Sequence, residues 1–279
     1  PGLKVHSKLL LIERRENRSL AYYSHIGTGN FNEKTAQLYT DFALLTYDQA
    51  IGADVHKVFD FLKYTYKRPE YRQLLVSPHS TRPALIALID REIAEARAGR
   101  RAAMTLKCNN LVDKQLSLKL YEASSAGVEV RLIVRGMCSL LPGVKETSDN
   151  IRAISIVDRY LEHPRLYVFY NGGDPHYLIG SADLMTRNLD YRVEVLCPVH
   201  DPAAKTMLQD ILDQQWHDNE RARILDSAQT NARVARRKKA ASIRSQETIL
   251  RYLDSGKLPR YPRSDMKKAI NRQQGKSRA

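Results

Sequence analysis

The chain has 279 residues, with 45 Lys and Arg against 31 Asp and Glu, for a net charge of +14. Its three cysteines (Cys108, Cys138, Cys197) are odd in number and far apart, which argues against a disulfide framework or a spaced zinc site. No apolar run approaches the roughly 20 residues that span a bilayer, so the expectation is a cytoplasmic globular protein with room for two modest domains.

In chain order, residues 3–12 read as an apolar strand, Arg14 to Arg18 as a polar hairpin turn around Asn17, and Ala21 to Ile26 as the returning strand. Asn32 to Ala36 opens a short helical turn after a glycine loop, and Tyr39 to Thr46 reads as another strand. Val55, Val58, Phe59 and Leu62 are spaced as one face of a helix over 52–64. Lys67-Arg68-Pro69-Glu70 looks like a linker. Leu74 to Pro78 is then a strand, and Arg82 to Gly99 is the clearest helix, with Leu85, Ile86, Leu88, Ile89 and Ile93 inward. A strand at Ala102–Cys108, a helix at Asp113–Ala126 and a strand at Val128–Val134 follow. Ile151–Ile156 and Arg165–Tyr170 extend the sheet, and Pro202–Trp216 is an amphipathic helix. This alternation predicts an α/β protein with mixed sheets flanked by helices.

Two phrases echo each other about 160 residues apart. The first is Val5-His6-Ser7-Lys8, an apolar run and Gly27-Thr28-Gly29-Asn30. The second is Glu162-His163-Pro164-Arg165, an apolar run and Gly180-Ser181-Ala182-Asp183. A strand follows each glycine turn: Tyr39-Thr40-Asp41-Phe42 and onward in the first, Tyr191 to Leu196 in the second. Strand alternation would place His6 and Lys8 on one face, and His163 and Arg165 on one face. A histidine beside a fixed cation suits phosphoryl chemistry, the imidazole as nucleophile or acid and the cation on phosphate oxygens. A lone His-x-Lys means little, but a doubled and extended pattern is evidence of an internal repeat forming one symmetric phosphate site. Asn30 and Asp183 close the turns and either orient the histidines or satisfy turn backbone. His25 reads as structural, and His56, His79, His176, His200 and His217 join no constellation.

Over roughly residues 1–225 these phrases, with Leu132-Ile133-Val134-Arg135-Gly136-Met137-Cys138, Tyr160-Leu161-Glu162-His163 and Asn171-Gly172-Gly173-Asp174, resemble the long, bacterial-type polyphosphate kinases. The resemblance implies two phospholipase D-like domains. The first, truncated, ends near residue 70; the second spans 71–226; a basic tail, partly helical or disordered, fills 227–279. It implies that the chain is the C-terminal part of a longer enzyme, and that the activity is reversible transfer of the terminal phosphate of ATP to polyphosphate through a phosphohistidine at His6. His163 is then the catalytic partner. Lys8 and Arg165 contact phosphoryl oxygens, Arg135 the nucleotide phosphates, and Tyr39 the adenine. ATP, ADP and polyphosphate are the implied partners, Mg²⁺ comes with ATP, no metal ligands lie in this stretch, and the full-length family assembles as homo-oligomers. Peripheral membrane association stays open.

Phospholipase D motifs carry an acid five positions after the Lys; here that position holds Glu13 and Tyr170. A phospholipase D-like phosphodiesterase or nuclease, and an inactive polyanion-binding fragment, are the rival readings. From Ser227 onward 15 Lys and Arg face three acids, so +12 of the charge lies there. Arg233, Arg236, Arg237, Lys238, Lys239 and Arg244 form its densest cluster. A solvated tail, capture of a polyanion such as polyphosphate, and nucleic-acid binding compete for it, and few interleaved aromatics argue against a specific nucleic-acid role.

Overall fold

The computed structural model describes residues 3–236, 240–259 and 261, so Arg237, Lys238 and Lys239 of the basic cluster lie outside the described residues. The chain opens with β1 (Lys4–Val5), then a long hairpin of β2 (Lys8–Glu16) and β3 (Ser19–Gly27). Its strands run further than expected because the turn is only Asn17-Arg18. Both residues have positive φ, 45° and 69°, the geometry of a two-residue hairpin whose twist matches its strands. After α1 (Glu33–Ala36) the single strand expected over 39–46 is split into β4 (Tyr39–Thr40) and β5 (Ala43–Thr46), and only β5 joins the hairpin in a three-stranded sheet. α2 (Gln49–Lys63) starts earlier than its apolar spacing shows, because Asp48 caps the N–H groups of Ala50 and Ile51. Its inward face is Ile51, Val55, Val58 and Phe61; Phe59, expected inward, is 40% exposed.

The second half builds a nine-stranded mixed sheet. In chain order its own strands are β6 (Leu75–Ser77), β7 (Ala103–Cys108), β8 (Glu129–Val134), β9 (Ile151–Ile156), β11 (Arg165–Phe169), β12 (His176–Gly180), β13 (Arg192–Pro198) and β14 (Ala222–Leu225). The spatial order is β1-β13-β12-β11-β7-β8-β9-β14, with β6 also on β13. Helices α3 (Thr81–Arg97) and α4 (Lys114–Ser125) cover one face, where Leu85, Ile89, Leu116, Leu120 and Leu132 form the largest core. Leu208 and Leu212 of α6 (Pro202–Trp216) pack with Ile133, Leu166 and Tyr177 in another. α5 (Thr186–Asp190) precedes β13.

Two sets of contacts cross the three-part division at 70 and 226. β1 lies in the second half's sheet, in parallel register Lys4↔Arg192 and Val5↔Val193, because a two-residue strand forms only on an existing edge. At the other end α7 (Ser245–Ser255) packs on α6, and the Arg244 guanidinium forks onto Asp158 at 2.6 and 2.8 Å. The Asp218 carboxylate accepts the N–H groups of Ser245 and Ala222. The packed unit therefore continues past 226, and a charge count does not reveal that Arg244 is committed to a partner.

A Cβ added to Gly180 would stand 1.9 Å from the Val195 carbonyl oxygen of the neighbouring strand. Backbone cannot yield as a side-chain tip does. Gly180→Ala is expected to lower stability by about 3 kcal/mol, roughly 10 °C in melting temperature, as read by circular dichroism.

Candidate active site

Both histidines sit where a strand stops, not within one, so alternation is not what orients them. β1 ends at Val5 and β2 starts at Lys8 in a different sheet; His6 and Ser7 bridge the gap, both donating backbone N–H to the Val193 carbonyl at 2.9 and 3.0 Å. Likewise β10 (Leu161–Glu162) ends before His163-Pro164, and β11 begins at Arg165. Proline supplies no ladder donor there. β10 pairs in parallel with β4, Leu161↔Tyr39 and Glu162↔Thr40. The strand before each histidine thus lies against the strand after the glycine turn of the other half.

That exchange sets each imidazole beside an acid of the other half. His6 Nδ1 is 2.9 Å from Glu194 Oε2, and His163 Nδ1 is 2.7 Å from Asp41 Oδ1. Glu194 is fully buried and its other oxygen accepts from Asn188 Nδ2 at 2.6 Å. The hydroxyl of Thr28 donates to Asp41 Oδ1 at 2.6 Å. Gly29 makes room for this carboxylate, since a Cβ there would lie 2.2 Å from Asp41 Oδ2. An ionised carboxylate only accepts, so each Nδ1 carries its hydrogen, and in the neutral ring Nε2 then keeps the lone pair. Among the described residues nothing hydrogen-bonds His6 Nε2, whereas His163 Nε2 faces Arg165 Nη1 at 3.0 Å. Burial pulls the His163 imidazole below the usual histidine range, against the upward pull of Asp41.

The cations are arranged unequally. Lys8 is buried, donates to the His6 carbonyl, and is pulled down to about 8 by burial, with Glu194 and Asp41 opposing and Arg165 and Arg192 reinforcing. Arg165 is also buried, but its fork, expected on phosphate, is spent on Asp183, Nε to Oδ1 at 3.3 Å and Nη2 to Oδ2 at 3.1 Å. Arg135 anchors Nε on Asn109 Oδ1 and the Glu162 carbonyl, at 3.1 and 2.8 Å; its two terminal nitrogens take no hydrogen bond among the described residues. The Tyr39 ring tilts against His163 at 5.2 Å between centroids. Asn30 is exposed and its side chain takes no hydrogen bond among the described residues, so it does not share the role of Asp183, which also accepts the Asn109 N–H at 2.7 Å. Glu13 faces His56 on α2 and orients neither His6 nor His163.

Asp41 and Glu194 stand in the quoted phrases, yet neither is picked out by the sequence reading. A signal was present: Asp41 follows Gly27 by 14 positions and Glu194 follows Gly180 by 14. Among the described residues no three His, Cys, Asp or Glu side chains form a metal cluster, and Asp41, Asp183 and Glu194 already hold His163, Arg165 and His6.

Residues 1–68 match the family description "Polyphosphate kinase C-terminal domain 1", and residues 74–246 match "Polyphosphate kinase C-terminal domain 2". The chain belongs to the polyphosphate kinase family. It is 52% identical over 259 residues to the polyphosphate kinase of Escherichia coli K12, covering 93% of this chain and 38% of that protein. It is 51% identical over 255 residues to that of Vibrio parahaemolyticus, covering 91% and 36%. The crystal structure of polyphosphate kinase from Porphyromonas gingivalis superposes with a TM-score of 0.86 at 41% identity, over 92% of this chain and 40% of that one. The chain thus spans a little over a third of the length of these polyphosphate kinases, and the pseudo-symmetric site lies across the two matched family segments.

Burial pushes His25, His79, His163 and His176 all below the ordinary histidine value. The unfolded chain takes up protons there near pH 6.5 while the folded chain still excludes them. Stability from these groups is full above about pH 6.5 and declines as pH falls toward their lowered folded values. The urea midpoint is expected to drop between pH 7.5 and 5.5, and His163→Asn to show a shallower drop over that window.

Proposed function

We propose that this chain carries the catalytic histidines of an ATP:polyphosphate phosphotransferase, reversible, with His6 taking the terminal phosphate of ATP and passing it to polyphosphate. The observation that carries the reading is the unlike setting of the two imidazoles. His6 presents an Nε2 lone pair with no partner among the described residues, backed through Nδ1 by a buried carboxylate. That is the arrangement of an imidazole activated for attack. His163 Nε2 already faces the Arg165 guanidinium and burial pulls the ring below the usual histidine range, so its role is to hold a fixed place beside the transferring phosphoryl, in preference to donating a proton.

In this scheme the lone pair of His6 Nε2 forms the new bond to the terminal phosphorus as the bond to the bridging oxygen breaks, and ADP leaves with that oxygen's electron pair. Glu194 stabilises the positive charge that the imidazole develops. In the second step a terminal oxygen of polyphosphate displaces the histidine. Lys8 and the free end of Arg135 are the cations left to meet phosphate oxygens, since Arg165 is occupied by Asp183. Tyr39 stands where a nucleobase can lie against it. The acids in the site, Asp41, Asp183 and Glu194, are engaged by His163, Arg165 and His6, so Mg²⁺ fits as part of the nucleotide substrate, held by phosphate and water. A cytoplasmic setting and assembly of identical subunits accord with this reading, and among the described residues no helix is long and apolar enough to cross a membrane.

His6→Ala in the full-length protein is expected to leave the fold intact and cut polyphosphate formation by several orders of magnitude; a residual rate above about a tenth of the parent's sinks the nucleophile assignment. With γ-labelled ATP, acid-labile and base-stable label should appear on His6 alone.

Lys8 sits near its titration point at about pH 8. The transfer rate is expected to fall as pH rises through 8, as the ammonium loses its proton, and Lys8→Arg is expected to flatten that limb whatever it does to the maximum rate.

A further inference from the structure

The two halves of the site differ in what stands behind the histidine. In the first half the residue before His6 is Val5, 49% exposed. In the second it is Glu162, 3% exposed and held on every side. Lys107 Nζ donates to Glu162 Oε2 at 2.8 Å, Gln215 Nε2 to the same oxygen at 2.7 Å, and Gln246 Nε2 to Oε1 at 2.8 Å. Lys107 is only 2% exposed, so the ion pair is sealed from water, where breaking one partner is costly. The Glu162 carbonyl meanwhile accepts from Arg135 Nε at 2.8 Å.

Gln246 does more than complete this shell. Its Nε2 also donates to the Tyr160 carbonyl at 2.8 Å, and its Oε1 accepts the Tyr160 N–H at 3.0 Å. One amide therefore clasps the backbone of Tyr160 and the side chain of Glu162, which together bracket the two-residue strand β10. That strand has one ladder neighbour, β4, over two positions. His163 follows directly. Gln246 lies in the first turn of α7, which is seated independently by Arg244 on Asp158, by Asp218 on Ser245, and by the Tyr252 hydroxyl donating to Asp210 at 2.9 Å.

We propose that Gln246 is a positioning residue for phosphoryl transfer. Through Glu162 it fixes β10, and so the places of His163 and Arg135, making helix α7 of the C-terminal segment part of the catalytic scaffold. This rests on the phosphotransfer reading above for its kinetic arm alone. A short strand with one neighbour drifts unless something holds its other side, and a misplacement of about 1 Å in a catalytic group costs up to about a hundredfold.

The test is a pair of substitutions in the full-length protein. Gln246→Ala removes the clasp and is expected to lower kcat by between about tenfold and a hundredfold, with a fall in melting temperature of no more than about 4 °C. Gln246→Glu sets a carboxylate against Glu162, with Lys107 the cation on the far oxygen and Arg244 already occupied by Asp158. Its kcat is expected to be lowest near pH 8 and to climb toward the parent's near pH 6, where the two carboxyls can share a proton. Tyr252→Phe, which removes the hydrogen bond from α7 to Asp210 and leaves the Gln246–Glu162 contact in place, is the control and should keep the parent's pH profile. Activity-independent evidence comes from histidine-labelled nitrogen NMR: the His163 Nδ1–H resonance should move in Gln246→Glu at pH 8 and return at pH 6. Parental kcat in both Gln246 variants, the same altered profile in Tyr252→Phe, or an unmoved His163 resonance would each overturn the proposal. An inactive parent would instead sink the phosphotransfer reading, leaving the resonance to decide the role of Gln246.

Discussion

Two parallel ladders, each two residues long, hold the site together. Lys4-Val5 lies on Arg192-Val193, and Leu161-Glu162 on Tyr39-Thr40. Each ladder runs out at a histidine on one strand and an acid on the other, so register alone brings His6 to Glu194 and His163 to Asp41. Neither half by itself supplies the acid for its own site histidine, His6 or His163. The exchange also explains why both strands break at the histidine: the chain must leave the partner half's strand and enter its own sheet within two residues. Gly29 belongs to the same constraint, because any side chain there would occupy the space of the Asp41 carboxylate.

Around this frame the charges are mostly paired, and the few that are not define what the site can bind. Asp183 holds Arg165, Glu162 holds Lys107, and Asp41 and Glu194 hold the histidines. A buried guanidinium with its fork filled is a fixed part of the electrostatic environment, not a hand free to grip phosphate. Lys8, on the His6 carbonyl, and the outer end of Arg135 remain. Depression of the Lys8 ammonium follows first from its burial, with Arg165 and Arg192 adding to it against Glu194 and Asp41, and it makes this cation sensitive to mild alkali.

The C-terminal region shows how composition alone misleads. Its charge suggests a solvated appendage, yet Ile243 and Ser245 are buried and α7 is tied to α6, to Asp158 and to the strand before His163. The family match itself runs to residue 246. Beside this helix lies a cavity of about 620 Å³, lined by Tyr39, Phe42, Pro164, Met207 and Leu250 among others, so α7 forms one wall of the space that adjoins Tyr39.

The amino-acid sequence by itself determined the alternation of strands and helices, the doubled His-x-cation and glycine-turn phrases, and the family. α3, α4 and α6 were legible because apolar spacing and capping are local: Asp113, Asp201, Gly99 and Gly127 act on backbone a few residues away. α7 was not, because charged neighbours mask its one packed face. The tertiary structure alone decided that Arg165 serves Asp183, that Asn30 stands aside, and that Glu162 is a buried hub. It also decided which acid serves which histidine. The equal spacing of Asp41 and Glu194 from their glycines marks them as a pair, but nothing local says that each crosses to the other half. That crossing depends on edges meeting 122 residues apart for Leu161 and Tyr39, and 188 for Lys4 and Arg192, and hydrogen bonds over such separations leave no periodicity in the chain.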